Sequence, residues 1–356
     1  MTTRRHLLAG VGAGIAAAAM PACGWAEVGA PNWLSAARLP DGPHVLCGLR
    51  VDGTRAFTLP LPARGHAGAR HPTQALAVAM ARRPGTFALV IDCATGRVRA
   101  ELGPPEGVHF NGHAAFLAEG SVLATAEQNA QDSAGQIGLW DSTSWRRIAT
   151  WPSGGIGPHD IAALPDGRLA VANGGIATDP TDRRKLNIAT MRPNLTVLGA
   201  DGQVDAVLEL PDLWQNSIRH LAIRADGHIA FAMQWEGEAT AHVPLVGLWR
   251  PSMAAVLAEP PLAEALRMQG YAGSVAWSGD GQHVAITSPR GGRVQVFDAA
   301  GRYLHGTDRP DVCGLAPDTR GFVVSDGTGA MIRIGDASPA LLARHPLAWD
   351  NHLIPV

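Results

Sequence analysis

From residue 65 onward the chain repeats one phrase: a polar or small residue, four or five apolar residues, a turn, then another apolar run. Gly112-His113-Ala114-Ala115-Phe116 passes through Glu119-Gly120 into Val122-Leu123-Ala124. His159-Asp160-Ile161-Ala162 passes through Asp166-Gly167 into Leu169-Ala170-Val171, and His220-Leu221-Ala222-Ile223 through Asp226-Gly227 into Ile229-Ala230-Phe231. Gly65-His66, Ser274-Val275 and Cys313-Gly314 open three further copies. Apolar runs this short, bounded by Asp-Gly pairs, predict β-hairpins, because glycine readily takes the positive φ of a tight turn. A third strand follows, often ending in aspartate, as in Ala88 to Asp92, Ile137 to Asp141 and Val294 to Asp298. A glycine turn then leads to a fourth.

Four antiparallel strands per repeat make a propeller blade, and blades recur at roughly 40–50 residues. The starts at 66, 113, 159, 220, 274 and 313 fit that period, with one long interval that holds an insertion, Ile176 to Pro193. This insertion reads as an ordered loop over one face. Six starts give six blades. Asp350 to Ile354 supplies a seventh innermost strand, and Val45 to Val51 with Ala56 to Leu61 supply its outer strands. The expected fold is therefore all-β: a seven-bladed β-propeller, one domain over 33–356, closed by strands from both termini so that no sheet edge stays open.

Composition adds little to this architecture and more to location. Hydrophobic residues make up 46 % and charged residues 17 %, the balance of a globular chain. Net charge is −2, and no basic stripe is visible, so nucleic acid is set aside as a partner. Residues 1–26 read as a signal peptide: Arg4-Arg5, a Gly/Ala-rich apolar run from Ala9 to Ala19, and a small-residue exit at Ala26. The paired arginines favour twin-arginine export to the periplasm. Met20-Pro21-Ala22-Cys23 is a poor lipobox, which leaves a lipid anchor at Cys23 as the alternative to cleavage after Ala26. The run is too short to span a bilayer, and no transmembrane span is expected once the signal is removed. Cys47, Cys93 and Cys313 then remain, an odd number, so at least one thiol is unpaired or liganded.

The candidate chemistry follows from the repeat. The first strand of each blade lies against the propeller axis, so aligned strand starts surround one mouth of the channel. They read His66, His113, His159-Asp160, His220, Ser274, Cys313 and Asn351-His352. Five histidines at one structural phase, out of 14 in the chain, make a candidate site for a transition metal, with Asp160 and Cys313 as further ligands. Each histidine alone could equally well bond a neighbouring blade's backbone. Second strands return to the same face, and their ends contribute Arg82-Arg83, Glu127, Asn173, Gln234, Glu236 and Arg290 to a rim. Glu127, Asn173, Arg219, Gln234, Glu236 and Arg290 are the candidate cofactor-binding residues. No Gly-x-Ser-x-Gly elbow, His-Glu-x-x-His or Cys-x-x-Cys-His motif occurs, so no catalytic residue is assigned.

Several strings carry a resemblance: Gly155-Ile156-Gly157-Pro158-His159, Val171-Ala172-Asn173-Gly174-Gly175-Ile176, Ser217-Ile218-Arg219-His220-Leu221, Gln234-Trp235-Glu236-Gly237, Ser288-Pro289-Arg290-Gly291-Gly292 and Trp349-Asp350-Asn351-His352. With these the mature chain resembles an uncharacterised family of twin-arginine-exported bacterial propellers. That family carries a domain of unknown function and is grouped with quinoprotein-dehydrogenase-like and YVTN-type proteins. It has no established activity. Its members are often encoded beside imelysin-like iron-uptake proteins, so the resemblance implies a periplasmic accessory role in iron or other metal handling, with such proteins as partners. Three functions follow as expectations. The first is binding of a transition metal (Fe, Cu or Zn) or metal complex at the histidine-rich mouth. The second is an enzyme on that face, a metal-dependent oxidoreductase or a lactonase-like hydrolase. The third is an interaction platform in which the histidines are structural.

Overall fold

In a computed structural model that describes residues 24–335 and 338–356, the strands form seven antiparallel sheets arranged as a seven-bladed propeller. The proposed signal sequence up to Cys23 lies outside the described residues. Numbering blades by their first complete repeat, blade 1 runs from Gly65 to Leu102, blade 2 from Val108 to Ile156 and blade 3 from Pro158 to Glu209. Blade 4 runs from Asn216 to Ala258, blade 5 from Ser274 to Asp308 and blade 6 from Val312 to Arg344. The Asp-Gly turns behave as the pattern predicts: Gly167, Gly227 and Gly281 all have positive φ. The aspartates that end third strands are turn-makers too. Asp92 Oδ1 accepts the backbone N–H of Ala94 and Thr95, and Asp141 Oδ1 accepts that of Ser144.

Blade 7 closes the ring with strands from both termini, in a fuller way than the sequence suggested. Trp33–Arg38, His44–Leu49 and Arg55–Leu61 are its three outer strands, so the first of these was missed. The innermost position is shared by two short C-terminal stretches, Ala348–Trp349 and Ile354–Pro355, both paired to Trp33–Arg38. Asp350 to Leu353, read as strand, instead leaves the ladder between them. Trp25–Val28 forms a single 3-10 turn, and the Trp25 indole donates to the His71 carbonyl at 3.0 Å. Cleavage after Ala26 would remove that contact.

Side chains between neighbouring blades make the core. Inner strands carry Ala77, Ala79, Ala124, Ala126, Ala170, Ala172, Ala230 and Ala232, all buried, where the wedge-shaped blades crowd together. Farther out, on third strands, the same interfaces hold Trp140, Trp249 and Phe297. All three cysteines of the described residues are buried and free. Among these residues no helix is long and apolar enough to cross a membrane.

Candidate functional site

Five of the six complete blades interrupt the pairing of their innermost strand at one level. Register shifts lie between Gly65 and Gly68, Phe110 and Ala114, Pro158 and Asp160, Ile218 and His220, and Val312 and Leu315. A bulge leaves residues unpaired and turns their side chains away from the usual alternation. The unpaired positions include His66, His113, His159 and Cys313, while His220 follows directly on the bulged Arg219. Blade 7 reaches the same result with the loop that carries His352. Blade 5 starts at Ser274 with an unbroken ladder and offers no imidazole. The repeated histidines are therefore backbone features as well as side chains.

All five rings meet. Centroid separations run from 4.7 Å for His159 and His220 to 5.8 Å for His66 and His159, with His113 and His352 4.9 Å apart. Candidate ligand atoms of His66, His113 and His159 lie within 4.8 Å of one another, and so do those of His113, His220 and His352. Nitrogens around an ion at about 2.0–2.1 Å stand roughly 3–4 Å apart, so modest ring movement closes either set. Gly112 makes room for this approach. Its φ is +97°, and a Cβ there would lie 2.6 Å from His66 Cδ2.

The nitrogens have few other engagements. His66, His159 and His220 each bury an Nδ1 with no hydrogen-bond partner, and His113 and His352 each bury an Nε2 in the same condition. Such an orphaned polar atom costs about 1–3 kcal/mol, and native interiors contain few. His113 Nδ1 donates to Asp160 Oδ1 at 2.9 Å, which leaves its Nε2 as the lone-pair nitrogen facing the cluster. Asp160 is itself fixed by backbone amides, Ile161 N–H to Oδ1 at 2.8 Å and Leu221 N–H to Oδ2 at 2.9 Å. Burial alone would raise its pKa; the neighbouring His113, with the Leu221 amide, outweighs this and holds it below the usual value. Burial pushes His66, His159 and His220 well below the ordinary imidazole value, and nearby cationic groups add to the effect. For His352 burial and His113 bring the value down to about 3. Neutral rings with free lone pairs are the ligand form of histidine.

The cluster does not stand at a channel mouth. It separates two cavities. On the side of the hairpin turns, a funnel of about 980 Å³ is lined in part by His113, Asp160, His220 and His352. On the side where second strands end, a chamber of about 260 Å³ meets His66, His159 and His220. Mid-channel placement follows from the bulges, which insert the histidines below the level at which pairing begins.

The other expected residues divide. Arg219, Gln234 and Arg290 line the smaller chamber, together with Arg82 and Arg83. Glu236 pairs with Lys185, another lining residue. Glu127 and Asn173 are not brought to it. The fully buried Glu127 takes bonds from Arg147 at 2.9 and 2.8 Å and from Thr125 at 2.7 Å within blade 2. Asn173 donates to Ser153 O and Asn194 Oδ1, and accepts from Ser153 Oγ, tying two blades together. Both are second-strand residues whose side chains face blade interiors, a direction that alignment phase did not reveal. Cys313 joins neither histidine set: its Sγ lies 3.7 Å from the Gly273 carbonyl, and burial raises its pKa. Sequence reasoning missed Arg183 and Lys185 on the inserted loop and Tyr271 before blade 5, all of which line the chamber. The only signal for the first two was the loop itself.

A family model described as "Protein of unknown function (DUF1513)" matches residues 59–356. No curated protein matches the chain. Among solved structures, hydrazine synthase from Kuenenia stuttgartiensis is similar at a TM-score of 0.58 and 13 % identity, covering 88 % of this chain and 96 % of that one. A chain of the mitotic checkpoint complex is similar at a TM-score of 0.57 and 12 % identity, covering 79 % of this chain and 77 % of that one. At these identities the likeness concerns the fold alone.

Proposed function

The chain belongs to the DUF1513 family, and from its five-histidine cluster we propose that it binds a transition-metal ion (iron, copper or zinc) inside the propeller channel. One observation carries this reading: five buried imidazole nitrogens without hydrogen-bond partners converge from five blades. Histidines with a purely structural role would each bond a neighbouring backbone carbonyl. Here the rings face one another. A bound ion would engage the orphaned lone pairs and turn a cost of folding into binding energy. His113 would be the central ligand, since it belongs to both sets, and Asp160 would orient it from behind rather than coordinate.

The compartment belongs to the same proposal. Arg4-Arg5 and the apolar run after it support export to the periplasm by a route that carries folded proteins. There the protein would act as an accessory in metal acquisition beside iron-uptake proteins. Elemental analysis of protein purified from its native compartment tests the site, with about one Fe, Cu or Zn per chain expected. Protein isolated without metal, and unable to retain any of the three on titration and dialysis, would overturn it. Replacing Arg4 and Arg5 with lysine tests the route. Unchanged periplasmic accumulation of that variant would rule out the twin-arginine pathway.

A further inference from the structure

The smaller chamber is unusual in its charge. Among the described residues its lining includes six cations, Arg82, Arg83, Arg183, Lys185, Arg219 and Arg290, and no carboxylate. Two of them are already engaged: Lys185 pairs with Glu236, and the Arg290 guanidinium lies 4.4 Å from the Tyr271 ring centroid. Arg83 and Arg219 make no side-chain ion pair or hydrogen bond among the described residues, although the Glu236 carboxylate acts on Arg219 from a distance and partly offsets its burial. Arg219 is only 4 % exposed, and its Nε is buried without a hydrogen-bond partner; Arg83 Nη1 is in the same state. Burial, with other guanidiniums nearby, brings the Arg83 pKa down to about 9. Buried, unpaired charge is expensive to keep and is ordinarily matched by a counter-charge.

We propose that this chamber binds a small multivalent oxyanion, a polycarboxylate or a phosphate-type group, held by Arg83 and Arg219 against the histidine cluster. The inference deepens the metal reading: the anion would sit where His66 and His159 border the chamber, so the site would take a metal together with an anionic co-ligand. Size fits the class. A volume of about 260 Å³ holds about nine waters at roughly 30 Å³ each, room for one compact anion and little more. Geometry fits as well, because guanidinium forks match carboxylate and phosphate oxygens two at a time. The inserted loop has a part here, since Arg183 and Lys185 bring two of the six cations and Thr178 anchors it through Ser133 and Gln128.

The test is calorimetric titration of the metal-free full-length protein with citrate and, separately, with inorganic phosphate, at fixed ionic strength in chloride. At least one anion should bind stoichiometrically and raise the melting temperature. R83Q/R219Q should weaken that binding by about tenfold or more, since each lost charge-assisted bond contributes roughly 1.5–3 kcal/mol. Its anion-free melting temperature should be equal to or above wild type, because a costly buried charge has gone. If R83Q/R219Q is poorly folded, R83K/R219K supplies the same comparison, keeping charge while losing the fork. H113A/H352A, which removes two candidate metal ligands that do not line the chamber, should still bind the anion, which separates this inference from the metal reading. Failure of both anions to bind wild type overturns the proposal. So does binding that the arginine variants leave unchanged. Preference for citrate over phosphate, or the reverse, identifies the anion class.

Discussion

Ser35 Oγ donates a 2.9 Å hydrogen bond to the carbonyl oxygen of His352, joining residues 317 positions apart. Ser35 lies on the N-terminal strand that closes the ring, and His352 is a member of the candidate metal set. Arg64 adds a clamp on the same loop through Asp350, with Nε to Oδ2 at 2.7 Å. The contacts that close the propeller thus also hold the loop that carries His352. Deleting Trp33 to Leu61 removes three strands of blade 7 and bares the Val323, Met331, Leu347, Trp349 and Leu353 side chains they cover, and it should yield aggregated protein without metal affinity. A soluble, monomeric truncation on gel filtration would contradict this account of closure.

Asp160→Asn isolates the orienting role of the carboxylate. The change keeps size but removes the charge facing His113 Nδ1, and it replaces one of the two accepting oxygens with an NH2 that cannot accept from the Ile161 or Leu221 amide. Loss of such a partner typically lowers metal affinity by about 10–100-fold. Competition titration against a metal indicator should find that loss with an unaltered circular-dichroism spectrum. His113→Ala with His220→Ala should go further and abolish retained metal.

Acid should destabilise the metal-free protein through these rings. His66, His159, His220 and His352 are all held below the ordinary imidazole value in the folded state, the last at about 3. The unfolded chain takes up protons at an ordinary value of about 6.5, so below that pH it binds more protons than the folded chain. Stability should therefore be full above pH 6.5 and fall as pH drops toward 3. Urea midpoints at pH 7.5, 6, 5 and 4 would show the decline, and the His113/His220 double variant should show a shallower one. Metal affinity should fall over the same range, as protons compete for the lone pairs.

Gly112→Ala probes the backbone that admits His66. A Cβ at φ +97° is strained, roughly 1 kcal/mol or more, and would lie 2.6 Å from the imidazole. The expected result is a folded protein of lowered melting temperature whose metal affinity falls because His66 has been displaced. Wild-type affinity in this variant would mean that His66 is not a ligand.

Arg147→Met tests whether Glu127 is structural. Arg147 is the guanidinium that neutralises this fully buried carboxylate, and its own charge lies 5.2 Å from the Trp140 ring centroid. Breaking one partner of a buried pair costs about 3–5 kcal/mol. Chemical denaturation should show a loss of that size, while metal and anion affinities stay as in wild type. A selective loss of ligand binding would return Glu127 to the functional site.

The blade repeat was legible along the chain because strand alternation and Asp-Gly turns are local: each hairpin declares itself within about a dozen residues. The phase of the histidines was legible for the same reason, since equivalent positions in repeats occupy equivalent places around the axis. Their depth in the channel was not, because it depends on bulges that appear only when the second strand pairs past the histidine. Nor could the pattern tell the inward side chains of Arg219 and Gln234 from those of Glu127 and Asn173, which turn into blade interiors to meet Arg147 and Ser153. Those directions are decided by which charge or amide the neighbouring strand presents. The first N-terminal strand, Trp33–Arg38, forms an ordinary local hairpin with His44–Leu49 through the Asp41-Gly42 turn, but its role in receiving the C-terminal stretches is set only by pairing across the whole chain. What folding alone created is the cationic chamber: Arg82 and Arg83, Arg183 and Lys185, Arg219 and Arg290 come from four separate stretches of a chain with net charge −2. A net charge averages over the surface, whereas burial gathers a few like charges into one place and leaves them needing a partner.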